Sequence, residues 1–146
     1  MKFILLAHLA ATLIMTGIIW FVQVVHYPLF SQVSRSSFIT YGEAHSRLTT
    51  WVVGPPMLVE ALTAVLLLLT SREREDINFG VLWIGFGLLV LIWLSTIVLQ
   101  VPRHTVLGKG FDTAAHRQLV VSNWVRTAAW SARSVLVLWT AARMMR

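Results

Sequence analysis

The chain has no cysteine, which excludes disulfides, thiolate metal sites and cysteine nucleophiles. It is also poor in charge. Only 12% of its 146 residues are Asp, Glu, Lys or Arg, and six of these are acidic. The basic excess gives a net charge of +6, but no Lys/Arg cluster or base-stacking motif accompanies it, so nucleic acid is not an expected partner. P-loop and Rossmann fingerprints are missing, and no H-x-x-x-H or H-E-x-x-H spacing occurs. Ser31 and Ser46 lie near histidines without an acid partner or an elbow motif, which argues against a serine hydrolase.

What the chain has instead is hydrophobic length. Hydrophobic residues make up 57% of it, with seven Trp, a composition unlike that of a small soluble domain. Phe3 to Val25, Leu48 to Thr70, Ile77 to Val101 and Gln118 to Ala142 each reach the roughly 20 residues that a helix needs to cross a hydrocarbon core. The first and third contain no charged side chain. The expected fold is all-α: a transmembrane four-helix bundle in a single integral membrane domain over residues 1–146, with spans at about 3–26, 45–70, 77–101 and 115–142. The opening segment reads as a span rather than a cleaved secretory signal, because its apolar run continues past the length of a signal core. The expected location is the bacterial inner membrane, with both termini cytoplasmic. Basic residues divide evenly between the two sides, so that orientation rests on Lys2 and the "ARMMR" tail lying at helix ends.

Local signals set the helix limits. Thr40 with Glu43 forms a possible capping box, placing the second helix start near Tyr41. Asp112 is positioned to cap the last helix near Thr113, and Asp76 to cap the third. "YPLFSQVSRSS" reads as an interfacial link through Phe30, Val33 and Phe38. In "VVGPPMLVE" two consecutive prolines remove the partners of the Trp51 and Val52 carbonyls, so the second helix should kink or break just before Glu60.

Two stretches echo one another: "FITYGEAHSRL" from Phe38 and "FDTAAHRQL" from Phe111. Each half of the chain reads as a helical hairpin, with Gln and His where its first helix ends and His where its second begins. Two such parallel hairpins would present His26, His45, His104 and His116 at one membrane face. At about 100° per residue, polar residues fall on one stripe per helix. The stripes are His8, Thr12, Ile19, Gln23 and His26; His45, Thr49, Val52, Pro56 and Glu60; Trp93, Thr96, Gln100 and His104; and Asn123, Arg126, Trp130 and Arg133. Polar side chains in lipid turn into the bundle. By helical rise, Glu60 lies about 22 Å beyond His45, while Arg126 and Arg133 lie about 15 and 26 Å beyond His116. Glu60 should therefore pair with one of the two arginines, leaving a spare cation that calls for an anion. His8, at the opposite end of the first helix, reads as a solitary polar contact or part of a second site.

Imidazole with carboxylate suits Fe, Cu or Zn, and paired histidines with nearby arginines suit a haem and its propionates. "GIIWFVQVVHYPLF" followed by "HSRLTTWVVGPPMLVEALTAVLL" resembles small bacterial four-span membrane proteins. More distantly, it resembles the membrane domain family that includes anthrone oxygenases, which implies oxidoreductase chemistry without assigning a role to any residue here. The leading expectation is a membrane oxidoreductase or redox carrier using Fe, Cu or haem b. In it, His26, His45, His104 and His116 are metal ligands, and Gln23, Gln100 and Asn123 are supporting or substrate contacts. Glu60 is a proton acceptor, and Arg126 and Arg133 are anion or propionate partners. Alternatives are a non-catalytic subunit of a larger membrane complex or homo-oligomer, packing through its Trp and Gly85/Gly87 faces, and a small-anion or proton-coupled transporter. The expected partners are the lipid bilayer and a hydrophobic small molecule or anion.

Overall fold

The computed structural model describes residues 1–72 and 78–144. The chain is all-helical over these residues. Its four long helices are α1 (Lys2–Gln32), α2 (Phe38–Thr70), α3 (Phe79–Leu107) and α4 (Thr113–Met144). The first three are long and apolar enough to cross a membrane. The fourth is as long but less apolar. Large side chains such as Phe3, Trp51, Leu62, Leu69, Trp83, Ile97 and Val135 stand exposed around the exterior, an apolar surface suited to lipid.

α1 packs extensively on α2 and α4, and α3 packs on α4. The α2–α3 contact is thin, and there the bundle opens. Inside, three apolar layers are stacked along the axis. Tyr27, Phe30, Phe38, Leu107 and Leu119 form the layer nearest the interhelical links; Met15, Ile19, Met57, Ile92 and Trp130 form the middle; Leu5, Leu67, Val137 and Ala141 form the layer nearest the termini. Between successive layers α4 contributes polar residues: Asn123, Arg126 and Thr127 in one gap, Arg133 and Ser134 in the other. The molecule therefore has two buried polar layers about two turns apart.

Several expected helix limits shift. α2 begins at Phe38 with Ser37 at its N-cap, so Thr40 and Glu43 lie within the helix and form no capping box. Asp112 does cap α4, accepting the Ala115 N–H at 2.6 Å. Asn78 caps α3, accepting from Val81 N–H at 3.2 Å; Asp76 lies outside the described residues. "YPLFSQ" is helical, continuing α1 to Gln32, and Phe30 and Phe38 turn inward. α2 runs unbroken through Pro55 and Pro56.

The irregular backbone is elsewhere, in π-helical turns at Val22–His26 of α1 and Thr96–Gln100 of α3. In each, the residue just before a proline donates its N–H five residues back, Tyr27 to the Val22 carbonyl and Val101 to that of Thr96. Proline crowds the preceding turn and supplies no donor of its own, and one extra residue per turn relieves that crowding. The Val98 carbonyl, four residues before Pro102, takes its hydrogen bond from the Arg103 side chain at 3.0 Å. Aligning the two turns on Pro28 and Pro102 sets His26 opposite Gln100 and Phe30 opposite His104. The hairpins share a backbone device rather than a histidine pattern. The echoed aromatics do meet, with Phe38 edge-on to Phe111 at 5.0 Å.

Candidate functional site

The polar layer nearer the termini is internally paired, with only a cavity of about 30 Å³ beside His8 and Arg133. Glu60, 0% exposed, receives Arg133 Nε at 3.0 Å and Thr12 Oγ1 at 2.8 Å on one oxygen and Trp130 Nε1 at 3.0 Å on the other. Of the two arginines, Arg133 is thus the partner of Glu60. Arg133 Nη1 also donates to the Gly85 carbonyl, where a glycine on α3 faces α4. His8 completes the group. The Thr63 hydroxyl donates to the Val59 carbonyl at 2.6 Å, so it accepts from His8 Nδ1 at 2.8 Å. That leaves His8 Nε2 to accept from Arg133 Nη2 at 3.4 Å. His8 belongs to this second cluster and is not solitary.

The polar layer nearer the links is open. Gln23 donates to the Val120 carbonyl at 3.1 Å and accepts from Asn123 Nδ2 at 2.9 Å. Asn123 Oδ1 in turn accepts from Arg126 Nη1 at 3.2 Å. This chain holds Arg126 from behind, and its guanidinium lies 5.2 Å over the Trp130 ring. Arg126 is only 7% exposed, yet among the described residues no carboxylate pairs with it, and its Nε has no partner. A buried guanidinium without an anion keeps most of its desolvation penalty.

Arg126 lines a cleft of about 470 Å³ between α2 and α3, whose lining includes the polar Tyr27, His45, Thr49, Gln100 and His104 and the apolar Val53, Met57 and Val101. That volume lies within the range of small-molecule sites. Gln23 and Asn123 are therefore supporting residues, while Gln100 faces the cleft. The expected α2 stripe is corrected too. Val52 points outward, and the inward face passes from His45 and Thr49 to Val53, Met57 and Glu60.

The four link-side histidines surround a phenyl ring rather than a point. Phe30, 2% exposed, has ring centroids 5.3, 5.0, 6.4 and 6.3 Å from those of His26, His45, His104 and His116. His26 Nε2 and His45 Nδ1 are hydrogen-bonded to each other at 2.8 Å, so one of these nitrogens carries the proton and the other does not. His104 Nε2 meets the Tyr27 hydroxyl at 3.0 Å, and its ring stacks on His45 at 5.4 Å. His116 stands apart, donating to the Tyr27 carbonyl at 2.8 Å and packing on Phe111. Among the described residues, no group of three or more His, Cys, Asp or Glu is placed to hold a metal.

Tyr27 and Phe30 are the central residues that sequence reasoning missed as site members. Tyr27 lies four residues beyond Gln23, on the same helical face, and that spacing was the available signal. Phe30 gave no signal beyond its hydrophobicity. No family model, curated protein or solved structure matches this chain.

Proposed function

We propose that the protein is a four-span integral membrane protein that draws an amphiphilic anion from the bilayer into the cleft between α2 and α3. The observation that carries this reading is Arg126, a buried guanidinium with which no carboxylate among the described residues pairs, in the lining of a cleft that polar and apolar side chains share. A bound carboxylate, enolate or phenolate would supply the missing charge, and the apolar wall would take its hydrocarbon body. The gap between α2 and α3 gives lateral access from lipid. α4 serves as the fourth span, because Arg126 and Arg133 point inward while Val121, Trp124, Val135 and Leu138 face out.

His45 and His104 line the same cleft and are the groups suited to exchange a proton with the bound molecule. A metal or haem centre has less support, because His26 and His45 direct a nitrogen at each other and Phe30 fills the space among the four rings.

The test is titration of detergent-purified protein with a fluorescent fatty acid and with its methyl ester. The acid should bind, and Arg126→Met should weaken it at least about tenfold, the size of one lost charge-assisted contact. The ester should bind weakly to both proteins. Equal binding of the acid by the two proteins would overturn the reading. An absorbance spectrum and metal analysis of the same samples test the redox alternative, which a Soret band or stoichiometric metal lost in His45→Ala would favour.

A further inference from the structure

Between α3 and α4, on the flank of the bundle near the links, Arg103 and Arg117 line a groove of about 750 Å³ together with Thr113, Gln118 and Val121. It shares no lining residue with the cleft between α2 and α3. The register of the two helices brings the arginines to a similar depth. Gln100 Nε2 lies 2.9 Å from Ser122 Oγ. From that level Arg103 and Arg117 stand about 5 and 8 Å nearer the links by helical rise along antiparallel α3 and α4. Arg103 is the first charged residue after the uncharged stretch Phe79 to Pro102, the place where a spanning helix leaves hydrocarbon for headgroups. It is anchored there, because its Nη1 donates at 3.0 Å to the Val98 carbonyl, whose backbone donor Pro102 removes. Arg117 is exposed. Among the described residues neither guanidinium is paired with a carboxylate, and Asp112, the acid nearest Arg117 in sequence, accepts from the Ala115 N–H. In helical phase with Arg117 follow Val121, Trp124 and Val125, all exposed. Cationic at the headgroup level and apolar below it, the groove has the inverse polarity of an anionic lipid.

We infer that this groove binds a phospholipid of the phosphatidylglycerol type, with its phosphate between Arg103 and Arg117 and an acyl chain along Val121 and Trp124. Each guanidinium offers a fork of donors to phosphate oxygens, and basic pockets between spanning helices hold lipid phosphates. The headgroup follows from the remaining lining. A choline or ethanolamine ammonium would lie beside two guanidiniums, whereas glycerol brings only hydroxyls, which Thr113 and Gln118 can meet as donors and acceptors. A free phosphate would leave the apolar part of the groove unfilled. The inference rests on α4 serving as the fourth span and is independent of the anion site in the cleft.

The experiment counts lipid adducts on the detergent-purified protein by native mass spectrometry, titrating dioleoyl phosphatidylglycerol against dioleoyl phosphatidylcholine. The first phosphatidylglycerol should bind about tenfold more tightly than phosphatidylcholine, the scale of one charge-assisted contact. Arg117→Gln, a change at an exposed site, should remove most of that preference, and Arg103→Gln should act in the same direction. Lys109→Gln removes an exposed charge outside the groove, and Arg126→Met removes the cation of the cleft; both should keep the preference. Excess inorganic phosphate should leave the lipid bound. Equal binding of the two lipids, or an undiminished preference in Arg117→Gln, would overturn the inference and leave the cleft reading untouched. An equal loss in Lys109→Gln would trace the preference to general basic charge, a loss in Arg126→Met would move the lipid to the cleft, and displacement by phosphate alone would make phosphate the occupant; each of these also overturns it.

Discussion

Arg133 and Arg126 lie on one face of the same helix, about two turns apart, and both are buried. Arg133 has the Glu60 carboxylate, a glycine carbonyl and a histidine nitrogen around it. Arg126 has one amide oxygen, an aromatic face and the Tyr27 hydroxyl beside it, and its Nε is without a partner among the described residues. The difference lies in the neighbouring helices. Beside Arg133, α1, α2 and α3 all close in and supply complementary groups. Beside Arg126, α2 and α3 part and leave a cleft. A neutralised buried charge belongs to the architecture, whereas one without a counter-charge keeps most of its desolvation penalty.

The sharpest way to break this contrast is to remove one partner from the paired layer. Glu60→Ala strands Arg133 and two further donors, and should destabilise the protein by about 3–5 kcal/mol in reversible unfolding from detergent. The paired change Glu60→Leu with Arg133→Met removes both charges and should recover most of that loss, which a double-mutant cycle measures directly.

Phe30→Ala should cost a similar amount, about 3–5 kcal/mol, as a cavity term at the centre of the histidine ring. It should also create the first nickel or zinc affinity of the site, read by calorimetric titration. If the parent protein already binds either metal stoichiometrically through His45, the view of Phe30 as the group keeping these rings apart is wrong.

Arg126→Met should behave oppositely to Glu60→Ala. The apparent stability without ligand should hold or rise by about 1 kcal/mol, because a desolvated charge is replaced by an apolar chain of similar length. A loss of several kcal/mol in that variant would mean that Arg126 is as structural as Arg133. Asn123→Leu removes the support behind Arg126 and leaves Gln23 Oε1 with only its 3.4 Å contact to Thr127. The expected cost is about 1–2 kcal/mol in reversible unfolding, together with weaker anion binding in the fatty-acid titration.

Much of this arrangement is legible in the sequence. Charge scarcity and long apolar runs point to an all-helical fold, in which three helices are long and apolar enough to cross a membrane, and 3.6-residue periodicity set Gln23, Glu60, Gln100, Asn123, Arg126 and Arg133 inward, because an unpaired polar group in hydrocarbon is costly. Helical rise placed Glu60 between the two arginines in depth, and the count of one carboxylate for two guanidiniums already announced a surplus cation. The histidines were harder. Four of them near one face resemble ligands when only their axial positions are known, but whether their nitrogens converge depends on rotamers and on what lies between the rings. Phe30 occupies that position because α1 continues past Pro28 by widening a turn at Val22–His26 rather than ending there.

The sequence by itself determined the composition of each polar layer, since residue type and helical phase are local properties. Only the tertiary structure decided which arginine takes Glu60, that His26 and His45 bind each other, and that the bundle opens beside Arg126. These outcomes depend on helix spacing and on the geometry with which side chains from three or four helices meet, and that geometry is set by packing of the whole bundle.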